Sequence, residues 1–259
     1  MIFNSETLPS RTVPYQVKQT TVNPFRPKQL GLLGKSIFLE SMQPAIEAMQ
    51  EVCDVDVNLL TPGDFYFLLA WQRFNSLKRE VTATWECSGT KYIREDTGEV
   101  YKTQRIIRTT ENWKAAEGTA EQSQLENPAD LRFDLKYCGE HNMEPLQFAD
   151  FNVVYLPEVE LDSRLDYPRV MTMVEYDKLI TDPVYHKIVG PARWVAQGRT
   201  LKDKIEILFA QEDMSLMEAA SDANANIAHG IGRQVGKQCA ACGSTHFFSA
   251  SIEPASFFV

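Results

Sequence analysis

Between Thr61 and Phe74 the chain reads Thr-Pro-Gly-Asp-Phe-Tyr-Phe-Leu-Leu-Ala-Trp-Gln-Arg-Phe, and this segment constrains the fold more than any other. Thr61 can accept a hydrogen bond from the first turn, Pro62 suits the first helical position, and Asp64 follows three residues after the cap, so a helix is predicted to run through Phe74. Phe65, Phe67, Leu68, Leu69, Ala70 and Trp71 nearly encircle it. A helix that is apolar on most sides must be covered on more than one of them. At 259 residues and 44% apolar content the chain has enough material to do so.

Other helices are predicted around it. Ser36 to Val52 has apolar residues near helical spacing, with Pro44 able to kink or split the segment. Thr172 to Leu179, roughly Pro183 to Ala196, Leu201 to Ala210 and Leu216 to His229 follow. Thr200 with Asp203 and Ser215 with Glu218 resemble capping boxes, and Gly230 offers a stop. Strands are expected from Arg79 to Thr110, with a hairpin turn at Glu95-Asp96-Thr97-Gly98, and again at Leu131 to Tyr137 and Phe151 to Leu156. Residues 111–130 are polar and read as loop. Pro9, Pro14, Pro24 and Pro27 make residues 1–35 an extended arm, with a short strand within Val13 to Val22. An arm with so little core of its own is expected to be protease-sensitive until a partner covers it.

Twenty-six Lys and Arg against 35 Asp and Glu give a net charge of -9, which disfavours nucleic acid as the default partner. No apolar run approaches the roughly 18 residues of a membrane span. The start lacks a basic region followed by an apolar one, and the chain is expected to be cytoplasmic when made. Gly-x-Ser-x-Gly, the phosphate-binding glycine loop and His-Glu-x-x-His do not occur, so no catalytic residue is assigned. His186 and His229 read as ordinary helix histidines.

Five cysteines without a secretory signal do not suggest a disulfide framework. Cys239-Ala240-Ala241-Cys242-Gly243 instead has the spacing by which two thiolates share one tetrahedral zinc, with a glycine free to take the turn's positive φ. Cys138-Gly139-Glu140-His141 is a candidate second half-site, and Cys87 a third source of ligand. Burial of the thiols for their apolar character is the competing reading. The expected fold class is α+β: a helical lobe plus a small antiparallel β lobe resembling a zinc ribbon, with an extended N-terminal arm. Its parts are the arm at 1–35, a helical segment at 36–78, the β lobe at 79–165, a helical lobe at 166–230, and a Cys-x-x-Cys segment at 231–259 completing the β lobe. Phe247, Phe248, Phe257 and Phe258, near the chain end, are expected to be buried against this chain or a neighbour.

Taken in order, Leu8-Pro9-Ser10-Arg11, Asn23-Pro24-Phe25-Arg26-Pro27, Leu60-Thr61-Pro62-Gly63-Asp64, the dense apolar helix, the strand entering Cys87, and Cys239-Ala240-Ala241-Cys242-Gly243 with a terminal Phe-Phe carry a resemblance. The chain resembles the baseplate hub and assembly proteins of T4-like contractile-tailed bacteriophages. The resemblance implies a structural virion protein, not an enzyme, sited in the tail baseplate and in host cytoplasm during assembly. Its implied partners are other baseplate and tail proteins, with no membrane and no specific nucleic acid. Family members tend to carry cysteine pairs in the middle and at the end. Here the middle pair is broken, leaving Cys87, His141 or neither as the fourth ligand. A zinc-ribbon regulatory protein binding nucleic acid through Lys91, Arg94, Lys102, Arg105 and Arg108 is the alternative, and a metallohydrolase with an open zinc position is a third reading.

Overall fold

A computed structural model of the chain describes residues 1–4, 7–11, 19–77, 84–95, 98, 100–101, 133–142, 146–232, 234–239, 243 and 245–249. The expected loop at 111–130, most of the strand proposed within Val13 to Val22, the turn residues Asp96 and Thr97, Cys242, Phe257 and Phe258 lie outside these residues. The fold is α+β. Among the described residues it has seven helices and small antiparallel sheets. The chain divides into two compact units, one formed by Met1–Arg79, Phe151–Arg233 and Ala250–Val259, the other by Glu80–Asp150 and Gln234–Ser249.

In the larger unit, α3 (Pro62–Ser76) starts where its residues dictate: Thr61 Oγ1 accepts the Asp64 N–H at 3.3 Å. Phe65, Phe67, Leu68, Leu69, Ala70 and Trp71 are all buried, as an all-round apolar helix requires. Its first turn meets β7 (Gly230–Ile231) at backbone contact: a Cβ on Gly63 would stand 2.5 Å from the His229 carbonyl oxygen, and Gly230, at φ +126°, faces Gly63 in turn. Only glycine permits that approach. A second cluster joins Trp194, Leu201, Ile205, Leu208, Leu216 and Ala220 around α4 (Val170–Leu179), α5 (Val189–Ala192), α6 (Leu201–Phe209) and α7 (Ser215–Asn226). Thr200 and Asp203 form the expected reciprocal cap of α6. Ser215 does not cap α7. Asp213 accepts its N–H at 2.9 Å, so the carboxylate two residues earlier takes the role assigned to the hydroxyl.

The first 35 residues differ most from expectation. Pro27 opens α1 (Pro27–Phe38), because a proline at the first helical position gives up a donor that has no partner there anyway. The single helix expected over Ser36 to Val52 is two: Ser36 belongs to α1, Glu40 turns the chain at φ +47°, and Pro44 sits at the start of α2 (Gln43–Gln50). The described part of the arm is folded on its own unit. β1 (Ile2–Asn4) pairs antiparallel with β2 (Gln19–Thr21), Phe3 packs edge-on against Phe67 and Trp71, and Leu8, Ser10 and Val22 are buried. Buried α3 side chains hold it: Gln72 Oε1 accepts from Phe25 N–H at 3.0 Å and Gln72 Nε2 donates to Asn23 O at 2.7 Å. The picture of an arm open until a partner arrives is therefore corrected for these residues.

In the smaller unit, β3 (Thr84–Arg94) lies between β4 (Val100–Tyr101) and β5 (Phe133–Asn142), all antiparallel. The expected hairpin is the β3–β4 pair, with Tyr92 opposite Tyr101. β8 (Gln234–Gln238) and β9 (Thr245–Ser249) form a second hairpin. The strand expected at Phe151 to Leu156 is only β6 (Val153–Val154), which pairs with β7 in the larger unit.

Candidate metal centre

Two adjacent strands bring Cys87 and Cys138 together through an irregularity in their pairing. Cys87 lies opposite Gly139 and Thr90 opposite Tyr137, so Ser88 and Gly89 together oppose Cys138. In a regular ladder, Cys87 and the neighbour of its partner would point to opposite faces. The bulge and the left-handed backbone at Gly139, φ +73°, turn Cys138 to the side of Cys87. The third thiol comes from the end of β8. There Gly243 N–H donates to Cys239 O at 2.8 Å, and Gly243 has φ +79°. Gly139 and Gly243, each of which follows a cysteine in sequence, thus share a left-handed backbone.

The Sγ atoms of Cys87, Cys138 and Cys239 all lie within 4.8 Å of one another, and all three residues are buried. Thiolates about 2.3 Å from one tetrahedral zinc stand about 3.8 Å apart, a spacing that falls within this bound. A cation bound among three thiolates this close would offset their mutual repulsion. The set is all sulfur, which favours a soft or borderline ion such as zinc over calcium or magnesium. The three cysteines could therefore bind a metal.

Of the other residues named from sequence, Cys242 lies outside the described residues, and so does the side chain of His141, whose backbone pairs with Trp85. Cys53 stands apart, its thiol pushed up to about 12 by burial and by the neighbouring Asp54. Sequence reasoning missed His246, whose Nε2 is 3.0 Å from Cys87 Sγ. Strand alternation could have found it. Val235 and Cys239 are buried while Gln234, Gly236 and Gln238 are exposed, and His246 is half-buried between the exposed Thr245 and Phe247. Phe247, next to it on the outward face, is 70% exposed, so it does not cap the thiols. Lys102, Arg105 and Arg108 of the proposed basic patch lie outside the described residues. Lys91 and Arg94 belong to β3, and their side chains too lie outside the described residues.

In the larger unit, titratable groups also meet at the start of α3. Ser10 N–H donates to Asp64 Oδ1 at 2.9 Å and its hydroxyl to Oδ2, while His229 Nε2 lies 2.7 Å from Thr61 Oγ1. Burial raises the Asp64 carboxyl to about 7 against the pull of Ser10's hydrogen bonds and of Arg169, and burial lowers His229 to about 4. Ser10, Thr61 and Asp64 are fully enclosed. The cluster ties the N-terminal segment to the start of α3, with no room for a substrate at the hydroxyl.

Comparison with protein-family models, with curated proteins and with solved structures found no match.

Proposed function

We propose that this chain is a structural subunit of a contractile phage tail baseplate, acting by protein–protein contact, and that a zinc ion staples its smaller unit. The observation that carries the reading is the enclosed, all-sulfur cluster of Cys87, Cys138 and Cys239. Such a site, once closed by a fourth thiolate, leaves no position for a reactive water and holds chain segments together. Cys242, three residues after Cys239, supplies the fourth thiolate in this reading. The order of motifs along the chain supports the baseplate assignment. Exposed rings and apolar chains are the surfaces on which neighbours would close: Phe38 is 86% exposed, and Phe209, Met214 and Phe247 are also exposed.

Mass spectrometry of purified particles from the phage that encodes the chain tests the assignment. The chain should be found in isolated baseplates or in their assembly intermediates. Its absence from both, or retention on DNA that weakens steeply with salt, would replace this reading with the nucleic-acid-binding one.

A further inference from the structure

We propose that His246 is a positioning residue for the metal centre, donating its Nε2–H to the Cys87 thiolate without touching the metal; this rests on the metal reading given above. The β8–β9 register sets His246 opposite Lys237, two residues before Cys239, and the half-buried imidazole lies between the exposed Thr245 and Phe247. Its Nε2 approaches Cys87 Sγ to 3.0 Å. A nitrogen ligand on a tetrahedral ion would stand about 3.6 Å from every sulfur alike. His246 is not so placed: the atoms that lie mutually within 4.8 Å are the three thiols, and the imidazole is beside one of them. An approach of 3.0 Å to the Cys87 sulfur is the geometry of a donor to that sulfur.

The chemistry gives the donor a purpose. A zinc ion among four thiolates leaves a net negative charge in a buried place, and N–H donors to sulfur offset it. Cys87 comes from a bulged strand and is the thiol whose partner in its half-site, Cys138, is separated from it by residues 88–137. The imidazole from β9 fixes that sulfur from a different hairpin. Loss of such a hydrogen bond typically weakens metal retention by about 10- to 100-fold while leaving the ligand set intact.

The test uses the full chain loaded with Zn(II), and in parallel with Co(II), whose absorption reports the ligand set. His246→Ala should keep one ion per chain and the wild-type Co(II) bands, yet pass zinc to a competing chelator about 10-fold faster or more. His246→Gln, which keeps an N–H donor and covers the case that the alanine variant fails to fold, should recover part of the slow exchange. Phe247→Ala, on the outward face of the same strand, should exchange like wild type. Altered Co(II) bands in His246→Ala or His246→Gln would make His246 a ligand and overturn the proposal. An unchanged exchange rate would reduce it to a neighbour. Wild-type protein that holds no ion would remove the metal reading itself, and this proposal with it.

Discussion

Asp64 and His229, on either side of Thr61, are expected to give the larger unit opposing responses to pH. The Asp64 carboxyl is raised from 3.8 to about 7 by burial, so the folded state holds its proton more tightly than the unfolded chain. The stability this contributes is fully present below about pH 4 and is lost as pH rises through about 7. His229 is lowered from 6.5 to about 4 by burial, so its contribution is present above about pH 6.5 and lost as pH falls through about 4. In the window between, each slope is at most about 1.4 kcal/mol per pH unit and the signs oppose. Urea denaturation across that window should show Asp64→Asn gaining stability as pH rises and His229→Gln losing it, by about 1–3 kcal/mol over two pH units. Flat profiles in both variants would contradict the buried placement. Gly63 decides between two other effects. Alanine would gain about 1 kcal/mol of helix propensity, but its Cβ would meet the His229 carbonyl oxygen at 2.5 Å. Relieving such a clash typically costs about 1–3 kcal/mol, so Gly63→Ala should lower the melting temperature; a rise would show that the two backbones do not approach as described.

Among the elements, those specified by their own residues were legible in sequence and those specified by pairing were not. Thr61 and Thr200 announced α3 and α6, because a cap, a first-turn proline and an acidic third residue act within one turn. Pro27 was misread because a proline that ends one segment also suits the first turn of the next, and nothing local distinguishes the two. The separate thiols of the metal centre were legible, but their convergence depends on the bulge opposite Cys138, a property of register between distant strands. His246 was legible only once that alternation was applied across the hairpin. The two left-handed glycines are expected to matter for the metal. Gly139→Ala and Gly243→Ala should each cost about 1–2 kcal/mol in backbone strain and hasten zinc transfer to a chelator. Gly98→Ala carries similar strain at φ +70°, with open space around its Cβ, and should leave transfer unchanged. Equal transfer rates in all three variants would dissociate the glycine turns from metal retention.

For the whole molecule, the two units differ in what holds them. The larger is built on α3 and on the cluster around Trp194 and Leu201. In the smaller, Leu146 and Val235 are, with the three thiols, the buried apolar groups among its described side chains. A metal held by these buried thiols would add its binding energy to the folding of that unit. Removing the ion should therefore strip hydrogen-exchange protection from amides of β3, β5 and β8 while those of α3 keep theirs; uniform loss across both units, or none, would contradict a local staple. The central claim, that this chain carries a structural zinc, is tested most directly by native mass spectrometry of the reduced protein purified without chelator. The account predicts a mass corresponding to one zinc ion per chain, lost together with folding of the smaller unit on acidification. A folded protein at its metal-free mass, with zinc supplied throughout, would contradict it.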